Sequence, residues 1–147
     1  MLKYFSTLFI VYALCVSSLL ASPLERYQWE NRLVLIFSDQ LNNEHLNRQL
    51  DAFKAETFER IDRDIIVFVI LKDGVFKILK DNKMRISTLK AQNLRKAYGI
   101  SVNKNITNIL IGKDGNKKGQ YNQFVEPWRI YSLIDTMPMR RHEMGNN

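Results

Sequence analysis

The sequence predicts one α/β domain, a central mixed sheet flanked by helices, and three observations predict it. Two runs, 32–37 and 64–71, are apolar and β-branched with no polar face, as strands buried on both sides must be. Each is followed, directly or after a turn, by a segment whose apolar residues recur at helical spacing. A third apolar run, 106–111, leads into Lys113-Asp114-Gly115-Asn116, a hairpin turn.

In chain order, Lys3 is a lone charge ahead of an apolar run over 4–21, broken only by Ser6, Thr7, Ser17 and Ser18. Small residues close the run, and Pro23, Glu25 and Arg26 end it. That layout predicts a signal peptide over 1–22, cut after Ala21 or Ser22. The domain then spans 23–147, with a short C-terminal tail. Leu19 or Leu20 falls where a smaller residue is usual, so an uncleaved anchor is the alternative, at about the shortest length that spans a bilayer. Membrane contact is expected only in that form. A lipoprotein reading has only Cys15, which lies inside the run behind Ala13-Leu14. Strand 32–37 follows, closed by Ser38-Asp39-Gln40. Asn42 or Asn43 caps a helix whose inward residues are Leu46, Leu50, Phe53 and Phe58, so it should run to about Phe58. Strand 64–71 ends at Lys72-Asp73-Gly74, and 75–79 either extends the sheet or forms a loop. Ser87 or Thr88 caps a second helix with Leu89, Leu94, Ala97 and Tyr98 inward, ended by Gly99 in the left-handed region. Strand 106–111 returns through the hairpin as 117–121. Pro127 suits the first turn of a last helix, packed by Trp128, Ile130, Tyr131, Leu133 and Ile134, which stops before Pro138. The order strand, helix, strand, helix, strand, strand, helix is that of a thioredoxin-like (peroxiredoxin-like) fold, although a small α/β sandwich of another topology shares it.

Local sequence sharpens this. Tyr27-Gln28-Trp29-Glu30-Asn31-Arg32 leads into the first strand, Ile109-Leu110-Ile111-Gly112-Lys113-Asp114-Gly115 ends the third, and Met137-Pro138-Met139-Arg140-Arg141-His142-Glu143-Met144 follows the last helix. Together these resemble a bacterial family of exported thioredoxin-like domains of unknown function. A related domain occurs in vertebrate extracellular-matrix proteins, with sushi repeats or within coiled-coil-domain-containing proteins. The resemblance covers Pro23 to Met144, most specifically at Met-Pro-Met-Arg-Arg. It implies a thioredoxin- or peroxiredoxin-like fold and an extracytoplasmic place, periplasmic or secreted, and no agreed activity.

Composition narrows the chemistry. The chain has one cysteine, Cys15, within the expected leader, so no disulfide is expected and the core must hold by packing. Thiol-based oxidoreductase chemistry is excluded for the cleaved form, because the thiolate is the nucleophile and the loop Ser38-Asp39-Gln40-Leu41-Asn42-Asn43 has none. The loop 102–106 also lacks the proline that thioredoxins hold there. The formal charge of +7 is spread along the chain and mixed with acids, which suits solubility more than an anionic partner.

Three constellations are candidates. Ser38, Asp39 and His45 have the residue types of a hydrolase or a cysteine-independent oxidoreductase site; capping and solvation are the plainer role for Asp39 before a helix. Met137, Met139, His142 and Met144 supply soft thioethers and an imidazole suited to Cu(I); packing is the plainer role for the methionines, with Arg140 and Arg141 complementing a helix end. Tyr27, Trp29, Tyr98, Tyr121, Trp128 and Tyr131 with scattered cations have the means to stack bases or sugars, but core roles are commoner there and no nucleic-acid partner is expected. The resulting expectation is a non-enzymatic exported module, without cofactor, that binds a protein or a cell-envelope component.

Overall fold

The computed structural model describes residues 23–79, 83–86, 88–101 and 105–145. The expected leader with Cys15, the cap Ser87 and positions 102–104 lie outside them. After a 3-10 turn at Glu25–Tyr27, the order is β1 (Arg32–Phe37), α1 (Glu44–Ala55), α2 (Thr57–Asp62), β2 (Ile65–Ile70), β3 (Val75–Ile78), β4 (Lys83–Arg85), α3 (Ala91–Tyr98), β5 (Thr107–Ile111), β6 (Lys117–Tyr121), α4 (Pro127–Asp135) and α5 (Pro138–Gly145).

The six strands form one mixed sheet in the order β4-β3-β2-β1-β5-β6. β1 and β2 are parallel, with Val34 opposite Val67, and every other pairing is antiparallel. Alternation along the strands builds two cores. Val34, Ile36, Val67, Val69 and Leu110 face α1 and α4, meeting Leu46, Leu50, Phe53, Ile130 and Ile134. Leu33, Leu35, Phe37, Phe68, Ile70, Ile109 and Ile111 face α3 and the N-terminal turn, meeting Leu24, Leu89 and Leu94. The helices therefore cover both faces of the central strands, which is why those strands read as unbroken apolar runs.

Several expectations are corrected. The first helix breaks at Glu56 and restarts as α2. Thr57 Oγ1 donates to Lys54 O at 2.8 Å and Arg60 Nε to Phe53 O at 2.8 Å, satisfying carbonyls at the end of α1 that a continuing helix would have used. The break turns Phe58 outward to 87% exposure. Of the two readings of 75–79, extension of the sheet holds, as β3, and the correction there is a further short edge strand, β4, that pairs with it. Thr88 makes no cap; α3 begins at Ala91 with Lys90 before it, and Ala97 is exposed. Gly99 does end α3, at φ 65°. The stretch beyond Pro138 is a helix, not a tail: Pro138 opens α5, where its missing N–H is one that no helix uses.

Among the described residues, two non-glycine residues sit in the left-handed region, Trp29 at φ 68° and Asp64 at φ 52°. They precede β1 and β2 at the same end of the sheet, and each conformation costs about 1–2 kcal/mol for a residue with a Cβ. Both meet Lys113: the Trp29 N–H donates to Lys113 O at 2.6 Å, and Lys113 Nζ donates to Asp64 Oδ2 at 2.8 Å.

Candidate functional site

Parallel β1 and β2 carry their carboxyl ends to one pole of the sheet, where open α/β sheets place ligands. Ser38 follows β1 there. It is buried, its Oγ donates to Gln40 O at 3.0 Å, and its N–H donates to Ile70 O at 3.1 Å. Asp39 faces Arg95 of α3 at 3.2 Å, and Arg95 Nη2 also donates to Ser38 O at 2.7 Å. His45 lies exposed on the first turn of α1, its backbone N–H given to the Oδ1 of Asn43, the N-cap. No hydrogen bond joins Ser38, Asp39 and His45 among the described residues. Arg95 is the residue the sequence reading missed: it reads as one more cation on an amphipathic helix, and only the packing of α3 beside β1 brings it to Asp39. Asp39 Oδ1 meets Arg95 Nη2 as an ion pair without hydrogen-bond geometry, and Arg95 Nε is buried without a hydrogen-bond partner among the described residues.

The methionine–histidine candidates are distributed by α5. Met137 precedes the helix and packs against the α1–α4 core, while Met139 and Met144 are exposed. At about 100° per residue, Met144 falls about 140° around the helix from Met139 and about 160° from His142. Met139 and His142 share a side; the four donors do not converge. Among the described residues, no group of three or more His, Cys, Asp or Glu is placed to hold a metal ion.

The opposite pole holds a charge network that the C-terminal motif builds. Arg140, expected at a helix end, is buried and donates to Asp62 O at 2.8 Å and to Asp135 Oδ1 at 3.2 Å, with a further bond to the Asp62 carboxylate. Arg63 holds Asp135 through two bonds of 2.9 and 2.7 Å and Glu59 at 2.6 Å. Arg32, only 1% exposed, gives two bonds of 3.1 Å to Glu143 and one of 3.0 Å to Arg63 O. Lys113 stands between Asp64 and Glu143, 2.8 Å from each. The network fastens α5 to the starts of β1 and β2.

Burial works against the Glu143 carboxylate, but hydrogen bonds from Arg32 and Lys113 outweigh it and hold its pKa below the ordinary value. Burial likewise works against Asp135, and the bonds from Arg63 and Arg140 hold it low. A carboxylate with a depressed pKa in the folded state contributes stability above its unfolded value and loses it as pH falls through the folded one. The thermal midpoint is therefore expected to hold near neutral pH and to fall steeply below about pH 4, where free carboxylates titrate. Scanning calorimetry from pH 7 to 2 checks this, and a midpoint flat through that window would exclude it.

A model of the family described as "Domain of unknown function (DUF4174)" matches residues 23–143. Coiled-coil domain-containing protein 80 of Danio rerio is 28% identical over 137 residues, covering 83% of this chain and 16% of that protein. The chain thus spans about a sixth of the length of this relative. Among solved structures, the reduced 2-Cys peroxiredoxin of Plasmodium vivax superposes with a TM-score of 0.56 at 13% identity, over 82% of this chain and 84% of that one. Thioredoxin peroxidase I of Plasmodium yoelii superposes with 0.54 at 12% identity, over 84% and 81%. At such identities the likeness is one of fold, and the fold is thioredoxin-like.

Proposed function

The chain belongs to the DUF4174 family of domains of unknown function, and from that premise we propose that it is an exported, non-catalytic binding module for a protein or cell-envelope component. The observation that carries the reading is on α2. Phe58 and Ile61, one turn apart, stand 87% and 66% exposed, an apolar pair that folding leaves unused and that suits a docking partner. Support for the non-catalytic half comes from β1. The loop after it has no thiol, and the Asp39 carboxylate is engaged by Arg95 at 3.2 Å. Export rests on the leader, whose removal also takes the sole cysteine.

One preparation tests all parts. Protein isolated from the exported fraction is expected to have the intact mass of a chain starting at Ser22 or Pro23. It should show no insulin reduction with dithiothreitol and no peroxide consumption above the buffer rate. Immobilised, it should capture an envelope component that the Phe58→Asp variant captures at least 10-fold less, with an unchanged thermal midpoint, because exposed substitutions shift stability by under about 0.5 kcal/mol. Robust turnover, or equal capture by both forms, would overturn the reading.

A further inference from the structure

Cations that lie far apart in the sequence meet at one place in the fold. Lys72 in the turn after β2, Arg85 at the end of β4 and Lys90 just before α3 line a single cavity of about 430 Å³. It sits beyond the carboxyl end of β2, at the pole where open α/β sheets hold ligands, and at the opposite end of that strand from the α5 network. Asp73 is the one acid among the described residues that line it. Arg63, Arg95, Lys113 and Lys118 each meet a carboxylate. Among the described residues, Lys72 and Lys90 make no hydrogen bond or ion pair through their side chains, and Arg85 meets no carboxylate.

Arg85 is held ready. Its Nη2 donates to Asp73 O, and its guanidinium carbon lies 5.6 Å from the Phe76 ring centroid. Gly74 makes room for it, since a Cβ there would lie 2.9 Å from Nη2. A guanidinium carries its N–H donors in a fixed fork, so several remain for a ligand. The side-chain amides of Gln92 and Asn93 also line the cavity, without a partner among the described residues. Three cations against one carboxylate leave two positive charges in excess, and a phosphomonoester carries about −1.5 to −2 at neutral pH. A carboxylate or a sulfate monoester, singly charged, would leave part of that excess uncompensated. The cavity falls within the about 300–1,000 Å³ of small-ligand pockets and exceeds what a bare phosphate fills. Room therefore remains for the group that bears the phosphate, and a carboxylate with two amides suits hydroxyls on it.

We propose that this cavity binds a phosphorylated sugar or polyol. Arg85 forks the phosphate oxygens, Lys72 and Lys90 complete the charge, and Asp73, Gln92 and Asn93 take the hydroxyls. The planar guanidinium matches phosphate geometry through paired bonds, whereas an ammonium acts as a point charge. The same chemical group occurs free in solution and as the headgroup of a lipid, and the cavity suits both. The site goes beyond the docking face on α2 and does not depend on it: α2 precedes β2, and the cavity follows that strand.

The probes are glucose 6-phosphate, titrated into the purified exported protein by calorimetry, and phosphatidylcholine vesicles carrying lipid A, whose headgroup is a phosphorylated sugar, read by co-sedimentation. Binding of the free sugar assigns a soluble ligand, and binding to the vesicles alone assigns a headgroup. Lys72→Gln with Lys90→Gln should weaken whichever binds by at least about 10-fold, because two charge-assisted contacts are lost. The thermal midpoint should stay unchanged, because both side chains are exposed. Arg85→Lys, which keeps the charge and loses the fork, should also weaken binding. Lys117→Gln with Arg129→Gln removes as much charge outside the cavity and should leave binding at the wild-type level. Glucose 6-sulfate should bind more weakly than the phosphate. The site would be overturned by no binding of either probe, by wild-type affinity without Lys72 and Lys90, by an equal loss without Lys117 and Arg129, or by equal affinity for the sulfate. Equal sedimentation with vesicles in which phosphatidylglycerol replaces lipid A would mark a general attraction to anionic surfaces and would overturn it too. Blank probes beside intact Phe58-dependent capture overturn this site alone; lost capture beside Lys72- and Lys90-dependent binding overturns only the docking face on α2.

Discussion

Replacing Glu143 with alanine is expected to destabilise the protein by about 3 kcal/mol, enough to remove a large part of the about 5–15 kcal/mol that holds a domain folded. The loss comes from what remains behind. Arg32, 1% exposed in the intact protein, would keep one bond, to Arg63 O, with no carboxylate beside it. Breaking a buried ion pair from one side costs about 3–5 kcal/mol for that reason, and the surviving bond places Glu143→Ala at the low end. Lys113 suffers less, because it keeps Asp64. Glu143→Gln, which retains an acceptor for one guanidinium N–H, should fall between. Removing both charges, as Arg32→Met with Glu143→Met, should restore much of the loss, since an apolar pair of similar volume leaves nothing uncompensated. Urea unfolding reads each step as a shift in midpoint at constant slope. A wild-type midpoint in Glu143→Ala would mean that the α5 network is surface decoration.

That network also marks the limit of what the sequence made legible. β1, β2 and the 112–116 hairpin were readable because their signals are local: continuous apolar runs, and a turn with Gly115 at φ 79°. α5 was not. Pro138 was read as a stop, yet the same fixed φ that ends one helix begins another. Arg140 was read as complementing a helix end, and it is buried against Asp62, a residue 78 positions earlier. Arg32 was read as the first residue of a buried apolar strand, and its partner lies 111 positions on. Periodicity reports which face of an element is apolar; it says nothing of which distant carboxylate meets a cation. β4 was lost for the opposite reason, since its three residues are all exposed and an edge strand without a buried face has no pattern to read. The candidate site divides in the same way. Ser38 and Asp39 were placed at the end of β1 from local sequence, and Arg95, 57 residues from Ser38, was not. Trp29 was noticed as an aromatic, but its left-handed backbone and its bond to Lys113 O were not legible.

The same blindness covers Gln49, whose replacement is the second large effect expected. On α1 it sits among Leu46, Leu50 and Phe53 and is fully buried, although glutamine carries no weight in an apolar pattern. Its side chain closes a two-bond bridge to the loop before α4: Nε2 donates to Val125 O at 2.8 Å, and Oε1 accepts from Val125 N at 2.9 Å and from Asn108 Nδ2 at 3.2 Å. Gln49→Leu keeps the volume and deletes the bridge. Asn108 Nδ2 retains Gln123 O, but the Val125 N–H and C=O lose these bonds within the core. At about 1–3 kcal/mol for each buried polar group stranded, the variant should be about 3 kcal/mol less stable, and the Val125 amide should exchange with solvent faster than it does in the wild type. Gln49→Glu makes the test sharper. A carboxylate there has no proton for Val125 O and is desolvated, so its pKa rises. A raised carboxyl pKa makes the destabilisation largest at neutral pH and relieves it as pH falls through the folded value. Gln49→Glu should therefore recover ground between about pH 7 and 5, above the range in which the wild type begins to lose it. A wild-type midpoint in Gln49→Leu would show that the bridge is dispensable and that α1 is held to α4 by its apolar face alone, and a Gln49→Glu deficit that does not shrink over that range would exclude a desolvated carboxylate at this position.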